Sequence, residues 1–292
     1  MASVDAADDT LCPACGGAGC APLFVVRHHR YVQCTTCASG RLDPLPTTDP
    51  IELYDRSYFE GAHNGGYLDY DADAALHRRN AQARLDRLTA AVSPGPHHLI
   101  DIGCASGYVL DEAIARGWTA VGVDASAHAR AVAASRGHTP YADLHTALAP
   151  GPAPSIVTFF QVLEHLRDPE VVLQQAVDAM TPGGVVAIET WDRSSRIARA
   201  FGARWQQANP PSVIHLFSHD GIERLVARAG LRLISLRPTP KQVSVGLVAG
   251  VASGRWPVMA KALGPVQRRE HIAGLALPYR LGDLVTAIAR VP

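Results

Sequence analysis

The sequence predicts a doubly wound α/β fold with a mostly parallel sheet, preceded by a small zinc-binding module. Short apolar strands alternate with amphipathic helices through the middle of the chain, which is typical of a parallel sheet covered by helices on both faces. Two Cys-x-x-Cys pairs near the start have the spacing of a structural zinc site. A chain of 292 residues can bury one such core and still carry a small module.

The zinc prediction rests on two pairs, Cys12 with Cys15 and Cys34 with Cys37, which have 18 residues between them. Four thiolates at this spacing can hold Zn²⁺ in a tetrahedral site. The segment is too short to bury a core of its own, so we expect the metal to supply its folding energy. Because all four ligands are cysteines, the zinc is expected to be structural. The alternative is four buried thiols without a metal.

Composition limits the possible partners. Lys plus Arg and Asp plus Glu both number 27, so the chain lacks the basic excess typical of nucleic-acid-binding proteins. The longest apolar run, 243–252, is about half the ~20 residues that a membrane span needs. The first ten residues are acidic, unlike a secretory signal. We therefore expect a cytoplasmic protein. Because cysteines stay reduced in the cytoplasm, we expect the remaining two, Cys20 and Cys104, to be unliganded thiols.

After the cysteine pairs come a proline-rich connector, 41–50, and a segment dense in Tyr, Asp and Gly, 51–75. That second composition suits an adaptable lid, whose tyrosines Tyr58, Tyr67 and Tyr70 are candidates to cover a ligand. Beyond it, apolar spacing and Gly, Pro or capping residues define each element. The predictions are a helix over 76–92, a strand over 98–102, a helix over 108–116, a strand over 119–123, a helix over 127–136, a strand over 155–160, a helix over 169–180, a strand over 185–190, a helix over 218–230 and a strand over 231–236.

A candidate cofactor loop, Asp101-Ile-Gly-Cys-Ala-Ser-Gly107, stands where the first of these strands meets a helix. Glycine lets the backbone approach a ligand, and the helix N-terminus offers unpaired N–H groups. Asp124 ends the next strand, 21 residues after Gly103, where a carboxylate can accept both hydroxyls of a ribose. NAD requires Gly-x-Gly-x-x-Gly to hold a pyrophosphate, which Asp101 would repel. S-adenosylmethionine has a cationic amino-acid group and no phosphate, so the charge favours S-adenosylmethionine.

Five segments carry a resemblance to a known family: LIDIGCASGYVL, AVGVDAS, FFQVLEHLRDP, TPGGVVAIETW and HLFSHDGIERLVARAGL. Over residues 51–237 the chain resembles the class I methyltransferase superfamily, which implies a seven-stranded Rossmann-like sheet and S-adenosylmethionine as the methyl donor. The order of a zinc module and then this domain resembles the bacterial small-molecule branch. Sugar C-methyltransferases and many natural-product enzymes belong to that branch.

The resemblance implies roles for individual residues. Asp101 and Gly103 would face the methionine part of the cofactor and Asp124 its ribose. Asp143 would face the adenine amine, and Gln161, after the fourth strand, would lie beside the methionine end. The other expected cofactor-binding residues are Cys104, Ala105, Gly107, Ala125 and Tyr70. Ala105 departs from the family, since many members have a third glycine there, but a small alanine is expected to fit.

Two histidines are candidates to move the acceptor's proton. His215 ends the loop 191–214, and it corresponds to a histidine over the active site of the sugar C-methyltransferase group. A near-neutral pKa would suit His215 to proton removal; the alternative is a histidine that caps the next helix or pins the lid. His165 follows Glu164 after the fourth strand. In the family this pair is sometimes structural, and in some quinone O-methyltransferases it contributes to a divalent metal site, which has a carboxylate where this chain has Gln161.

These assignments divide the chain into three parts. They are a zinc-binding module and linker over 1–50, a cofactor-binding core over 51–237 with a lid over 191–217, and a C-terminal insertion and final strand over 238–292. The segment 282–290 resembles the family's final antiparallel strand. The alternative places that strand at 243–248.

The predicted function is methylation of an oxygen or carbon atom in a small-molecule acceptor, in bacterial natural-product biosynthesis. Two alternatives stay open. One is an RNA methyltransferase that uses the zinc module to grip RNA, although the balanced charge favours a small molecule. The other is a non-enzymatic, zinc-dependent interaction module, against which the intact loop and Asp124 argue. The acceptor and the oligomeric state are left open.

Overall fold

The computed structural model of the chain describes residues 10–46, 73–149, 151–255, 261, 263–265 and 269–292. The strands are β1 (Cys20–Val26), β2 (His29–Cys34), β3 (Gly40–Leu42), β4 (His98–Ile102), β5 (Thr119–Val123), β6 (Pro140–Tyr141), β7 (Ile156–Phe160), β8 (Val185–Trp191), β9 (His215–Leu216), β10 (Arg232–Pro238), β11 (Lys241–Ser244), β12 (Ala276–Tyr279) and β13 (Leu284–Arg290). The helices are α1 (Ala74–Thr89), α2 (Tyr108–Ala115), α3 (Ala127–Ser135), α4 (Leu144–Leu148), α5 (Pro169–Asp178), α6 (Arg196–Phe201), α7 (His219–Arg228), α8 (Val245–Arg255) and α9 (Glu270–Ala273), with 3-10 turns at Leu163–His165 and Gly202–Arg204. Within these ranges no helix is long and apolar enough to cross a membrane.

Seven strands form the central sheet, in the order β10-β13-β8-β7-β4-β5-β6. The strands from β8 to β6 run parallel to one another, whereas β13 runs antiparallel to both of its neighbours. The predicted fold, a mostly parallel, seven-stranded Rossmann-like sheet, is confirmed. The bounds of the ten predicted elements differ from the observed bounds by at most three residues.

Successive residues of the central strands pack into two separate cores, one on each face of the sheet. In β7, Val157 and Phe159 belong to one cluster of buried side chains, and Ile156 and Phe160 belong to the other. This alternation follows from the two-residue period of a strand. Because both faces are covered, β7 is apolar or small at nearly every position, as a buried parallel strand must be.

The last strand of the sheet is β13, which lies inside the predicted segment 282–290. The alternative at 243–248 is wrong. Residues Lys241–Ser244 pair with β12 in a separate two-stranded sheet, and α8 begins at Val245. The insertion between β10 and β13 therefore begins with a strand and a helix that lie outside the central sheet.

The cysteine-bearing module is built into the core. Its three strands form a four-stranded sheet whose fourth member, β9, comes from residues far along the chain. Tyr31 and Leu42 of the module pack in one cluster with Ile214, and the Tyr31 hydroxyl donates a hydrogen bond to the Val213 carbonyl at 2.6 Å. The segment 191–217, expected to form a lid, thus contacts the module and joins it to the core.

Candidate active site and zinc site

The chain turns sharply between β4 and α2. Gly103 has a φ of +75°, and a Cβ atom there would lie 2.3 Å from Cγ2 of Val162. Gly107 has a φ of +82°, and a Cβ atom there would lie 2.6 Å from Cδ2 of His138. Both positions therefore require glycine. The close approach to Val162 brings the loop against the segment after β7, at the carboxyl edge where open α/β sheets bind ligands.

Asp124 ties this loop to the end of the next strand. Its Oδ2 accepts a hydrogen bond from the Ala105 N–H and its Oδ1 accepts one from the Ser126 N–H, both at 2.9 Å. Burial raises the pKa of Asp124, and the two hydrogen bonds act in the opposite direction. Ala105 has a φ of +45°, a left-handed conformation that strains any residue with a Cβ atom. Alanine at this position, where many family members have a third glycine, is therefore an unfavourable departure. The hydrogen bond to Asp124 holds Ala105 in this conformation.

Asp101 is buried near the end of β4. Its Oδ1 accepts a hydrogen bond from the Thr158 hydroxyl at 2.6 Å. Burial raises the pKa of Asp101 to about 7, against the opposing effects of Thr158 and Arg84. The carboxyl group is therefore poised between its neutral and ionised forms, and a cation placed beside it would favour the ionised form.

The remaining residues predicted around the cofactor have less distinctive contacts. Cys104 is buried, and burial raises the pKa of its thiol, as expected of a packing residue. Ala125 lies between Asp124 and the residue that caps α3. Asp143 is exposed and caps α4, because its carboxylate accepts hydrogen bonds from the N–H and hydroxyl of Thr146, which lower its pKa. Tyr70, like Tyr58 and Tyr67, lies outside the described residues.

The sequence did not predict a cluster of polar side chains at the carboxyl ends of β7 and β8, formed by the buried Glu189 and the half-buried Arg84, Gln161 and Lys241. Glu189 Oε1 accepts hydrogen bonds from the Arg84 guanidinium and, at 3.2 Å, from Gln161 Nε2. Gln161 Oε1 accepts one from Lys241 Nζ at 3.2 Å. Burial acts to raise the pKa of Glu189, but Arg84 and Lys241 outweigh it and the pKa falls below its usual value. We call these four residues the polar cluster.

The polar cluster borders an open cleft. Arg84, Gln161 and Lys241 are part of its lining. The rest of the lining comes mainly from α1, from β11 and from the start of α8, including Asn80 and Leu247. The cleft therefore opens at the carboxyl edge of the sheet, next to the turn that follows β7.

Glu164 and His165 lie in the turn after β7. The Thr190 hydroxyl donates to Glu164 Oε2 at 2.9 Å, and burial raises the pKa of Glu164 to about 7. His165 Nδ1 donates to the Ser212 carbonyl at 2.6 Å, and burial lowers the pKa of the ring to about 4. In the described part of the chain, the only group of three or more His, Cys, Asp or Glu side chains placed to hold a metal is formed by cysteines. Those described residues therefore do not assemble a divalent metal site around Glu164.

His215 lies on β9, buried between the module and the core. Its Nε2 donates to the Arg167 carbonyl at 3.2 Å. Burial lowers the pKa of His215 to about 4, whereas a general base was expected to titrate near neutrality. The small cavity beside the ring is lined mostly by module residues such as Cys12 and Cys34. This position favours the alternative in which His215 fixes the chain in place.

The four paired cysteines converge on one point. Their Sγ atoms all lie within 4.8 Å of one another, with 3.6 Å between Cys12 and Cys37 and 3.5 Å between Cys15 and Cys34. A tetrahedral zinc site with Zn–S bonds of ~2.3 Å needs sulfur atoms about 3.8 Å apart. In each pair a backbone N–H also donates to a sulfur, to Cys15 and to Cys34, at 3.4 Å. The donor set therefore fits a structural Zn²⁺ ion.

The site at the edge of the sheet lies in a segment that is similar to known methyltransferases. A family model described as a methyltransferase domain matches residues 74–236, which include the loop after β4, Asp124 and Glu189. The chain belongs to this methyltransferase family. It is an S-adenosylmethionine-dependent enzyme of class I, as its relatives also indicate.

Two relatives of this methyltransferase are named ubiquinone biosynthesis O-methyltransferase. The protein from Caulobacter vibrioides is 30% identical over 199 residues, which cover 62% of this chain and 75% of the relative. The protein from Cereibacter sphaeroides is 26% identical over 250 residues, which cover 76% of this chain and 95% of the relative. A methyltransferase solved in complex with the Haloferax volcanii Trm112 methyltransferase activator matches with a TM-score of 0.55 and 14% identity, over 85% of this chain and all of that one. This last likeness shows the fold alone.

Proposed function

We propose that the methyltransferase acts on an oxygen or carbon atom of a small-molecule acceptor, in bacterial natural-product biosynthesis. The observation that supports this is the cleft at the carboxyl edge of the sheet, which polar side chains line beside the cofactor loop. Gln161 lines the cleft, and its neighbour Val162 touches the loop at Gly103. An acceptor in the cleft would therefore lie beside a cofactor bound at the loop. The names of the two relatives favour oxygen as the methylated atom.

S-adenosylmethionine supplies the methyl group when bound, and the residues at the loop fit its charge. Asp101, with a pKa of about 7, can ionise beside the cationic amino group of the cofactor. The turns at Gly103 and Gly107 have no room for a Cβ atom, as expected where backbone packs closely at a ligand site. Asp124 has lone pairs left for the ribose hydroxyls after accepting two backbone hydrogen bonds.

We further propose that the four paired cysteines bind one structural zinc ion per chain. The convergence of the sulfur atoms within 4.8 Å supports this, as do the N–H groups that donate to two of them. With four thiolate ligands no coordination position is left for a substrate. The metal would therefore stabilise the module and take no part in methyl transfer.

The acceptor class is tested by incubating the purified protein with methyl-labelled S-adenosylmethionine and a bacterial extract split into small-molecule and RNA fractions. We expect label to enter the small-molecule fraction, and boiled protein serves as the control. Mass spectrometry of the labelled compound then distinguishes an oxygen from a carbon as the methylated atom. Label found in the RNA fraction alone would show that the small-molecule proposal is wrong.

A further inference from the structure

Lysine is almost absent from this protein. Among the 27 basic Lys and Arg residues there are two lysines, Lys241 and Lys261. Lys261 is exposed in the C-terminal insertion. Lys241 begins β11 and lines the cleft over the carboxyl ends of β7 and β8. A compact ammonium group therefore lies at the edge of the sheet where ligands bind, although nearly all other basic side chains of the protein are arginines.

No carboxylate of the described residues is ion-paired directly with the ammonium group of Lys241, although the charges of Glu189, Asp283 and Glu164 act on it from a greater distance. The ammonium group donates to Gln161 Oε1 at 3.2 Å and lies 4.7 Å from the centroid of the Trp191 ring. In the described part of the chain no carboxylate oxygen lies within 4.0 Å of Nζ, because the nearby Glu189 is paired with Arg84. Burial lowers the pKa of Lys241 to about 8, despite the opposing effect of Glu189. A half-buried ammonium group that is not ion-paired is stabilised by an anion placed beside it.

The position of Lys241 indicates where that anion would lie. Its partner Gln161 directly precedes Val162, whose side chain touches the cofactor loop at Gly103. The charge therefore stands close to where the methyl group would be transferred, and an ammonium retains N–H donors beyond the one used by Gln161. Arg84 is committed to Glu189 instead.

We propose that Lys241 binds the acceptor oxygen that receives the methyl group, and that this oxygen belongs to an acidic hydroxyl, phenolic or enolic, bound as its anion. This inference rests on the function proposed above and narrows it to O-methylation. A fixed cation lowers the pKa of the hydroxyl, and a lowered pKa activates a nucleophile at neutral pH.

The reaction then balances without a protein base. The hydroxyl proton passes to water when the anion forms. An oxygen lone pair forms the new bond to the methyl carbon, the carbon–sulfur bond breaks, and its electron pair stays on sulfur. The negative oxygen and the positive sulfur both become neutral. His215, buried away against the module, has no proton to remove in this scheme.

The test compares two probes that differ at one oxygen, 4-nitrophenolate and 4-nitroanisole, binding to the full protein saturated with S-adenosylhomocysteine. Calorimetry at a pH where the phenol is ionised should give at least tenfold tighter binding of the phenolate. Lys241→Met should reduce this preference to about twofold or less, and Lys241→Arg should retain part of it. Lys261→Met, the matched substitution at the other lysine, should leave it unchanged.

Three binding results would overturn the proposal. Wild-type protein that binds neither probe, or binds both equally, shows that the cleft does not select a phenolate. If Lys241→Met weakens binding of S-adenosylhomocysteine more than twofold, then the lysine pairs with the carboxylate of the cofactor.

Should Lys241→Met fail to fold, reductive methylation with ¹³C-formaldehyde gives NMR signals for the two lysines of the wild-type protein, assigned with Lys261→Met. The phenolate must then shift the Lys241 signal and not that of Lys261. Label in the small-molecule fraction alongside a negative result here would leave the methyltransferase function intact and remove only this inference.

Discussion

Asp124 shows how one side chain serves both the fold and the ligand site. Its two oxygens accept hydrogen bonds from Ala105 and Ser126, so it joins the loops that follow β4 and β5. The same carboxylate is proposed to receive the ribose hydroxyls. A substitution there therefore changes the shape of the empty site as well as the contacts of the cofactor.

Asp124→Ala is expected to weaken binding of S-adenosylmethionine by about 2–3 kcal/mol, roughly 30- to 150-fold, because charge-assisted hydrogen bonds are lost. Calorimetry gives the affinity, and thermal unfolding of the same sample gives the loss of stability from the freed N–H groups. Asp178→Ala is the control, since Asp178 is exposed at the end of α5. Unchanged affinity in Asp124→Ala would remove this residue from the cofactor site.

Asp101 predicts a pH dependence of cofactor binding. Burial sets its pKa at about 7 in the absence of ligand, so the carboxyl group is mostly protonated at pH 6 and mostly ionised at pH 8. The cationic amino group of the cofactor requires the ionised form, and affinity should therefore rise about tenfold from pH 6 to pH 8. Asp101→Asn should bind weakly and without this slope. Glu164→Gln removes the other buried carboxyl group with a pKa of about 7 and should keep the slope. A flat profile in the wild type would contradict the role of Asp101.

Residues were predictable from the sequence where a local pattern identifies them. Asp101, Gly103 and Asp124 follow strands at fixed places, and the structure brings all three to one edge of the sheet. Glu189 and Lys241 were missed because their relation exists only after folding. Glu189 sits in a strand of otherwise mostly apolar residues, and Lys241 belongs to an insertion whose course carries no local signal.

Among the elements, the short strand β9 joins the cysteine-bearing module to the core. It has two residues, yet it pairs with β3 and so connects the cysteine-bearing sheet to the chain before α7. Next to it, the Ile214 N–H donates to the Glu164 carbonyl at 2.8 Å, which links the same segment to the turn after β7. The segment was expected to be a lid because it ends where the next helix begins and must fold back over the strand ends that carry the cofactor. No local pattern indicates a partner strand far away in the chain.

His215→Ala should therefore lower stability more than catalysis. Removing a buried ring from β9 is expected to cost about 2–4 kcal/mol of unfolding free energy. Turnover at saturating acceptor should stay within a few fold of wild type, measured with the compound that the labelling experiment selects. His219→Ala, an exposed histidine on α7, controls for general effects of histidine loss. If turnover instead falls by roughly 10²–10⁴-fold while stability holds, His215 is the general base that the resemblance implied.

At the scale of the whole molecule, the fold class was predictable because helix and strand periodicities alternate cleanly over most of the core. The contact between the module and the core was not predictable from the sequence. Cysteine spacing identified the metal ligands, but the contacts that fix the module come from scattered positions. The Ser218 hydroxyl donates to the Cys37 carbonyl, and Arg228 donates to the Cys12 carbonyl at 3.4 Å. Both partners are backbone atoms beside metal ligands, so a metal that orders the cysteines also orders the start of α7 and its far end.

Removing zinc should consequently destabilise the whole protein in one step. Elemental analysis is expected to find one zinc per chain. Structural zinc contributes many kcal/mol to small modules, so chelation should lower the melting temperature by an amount on the order of 10 °C. Module and core should still unfold in a single transition, because β3 and β9 share one sheet. Cys37→Ser should reproduce the effect of chelation, and Cys20→Ser, at an exposed cysteine outside the cluster, should not. A core transition that stays at its original temperature after zinc is removed would show that the module is an independent appendage.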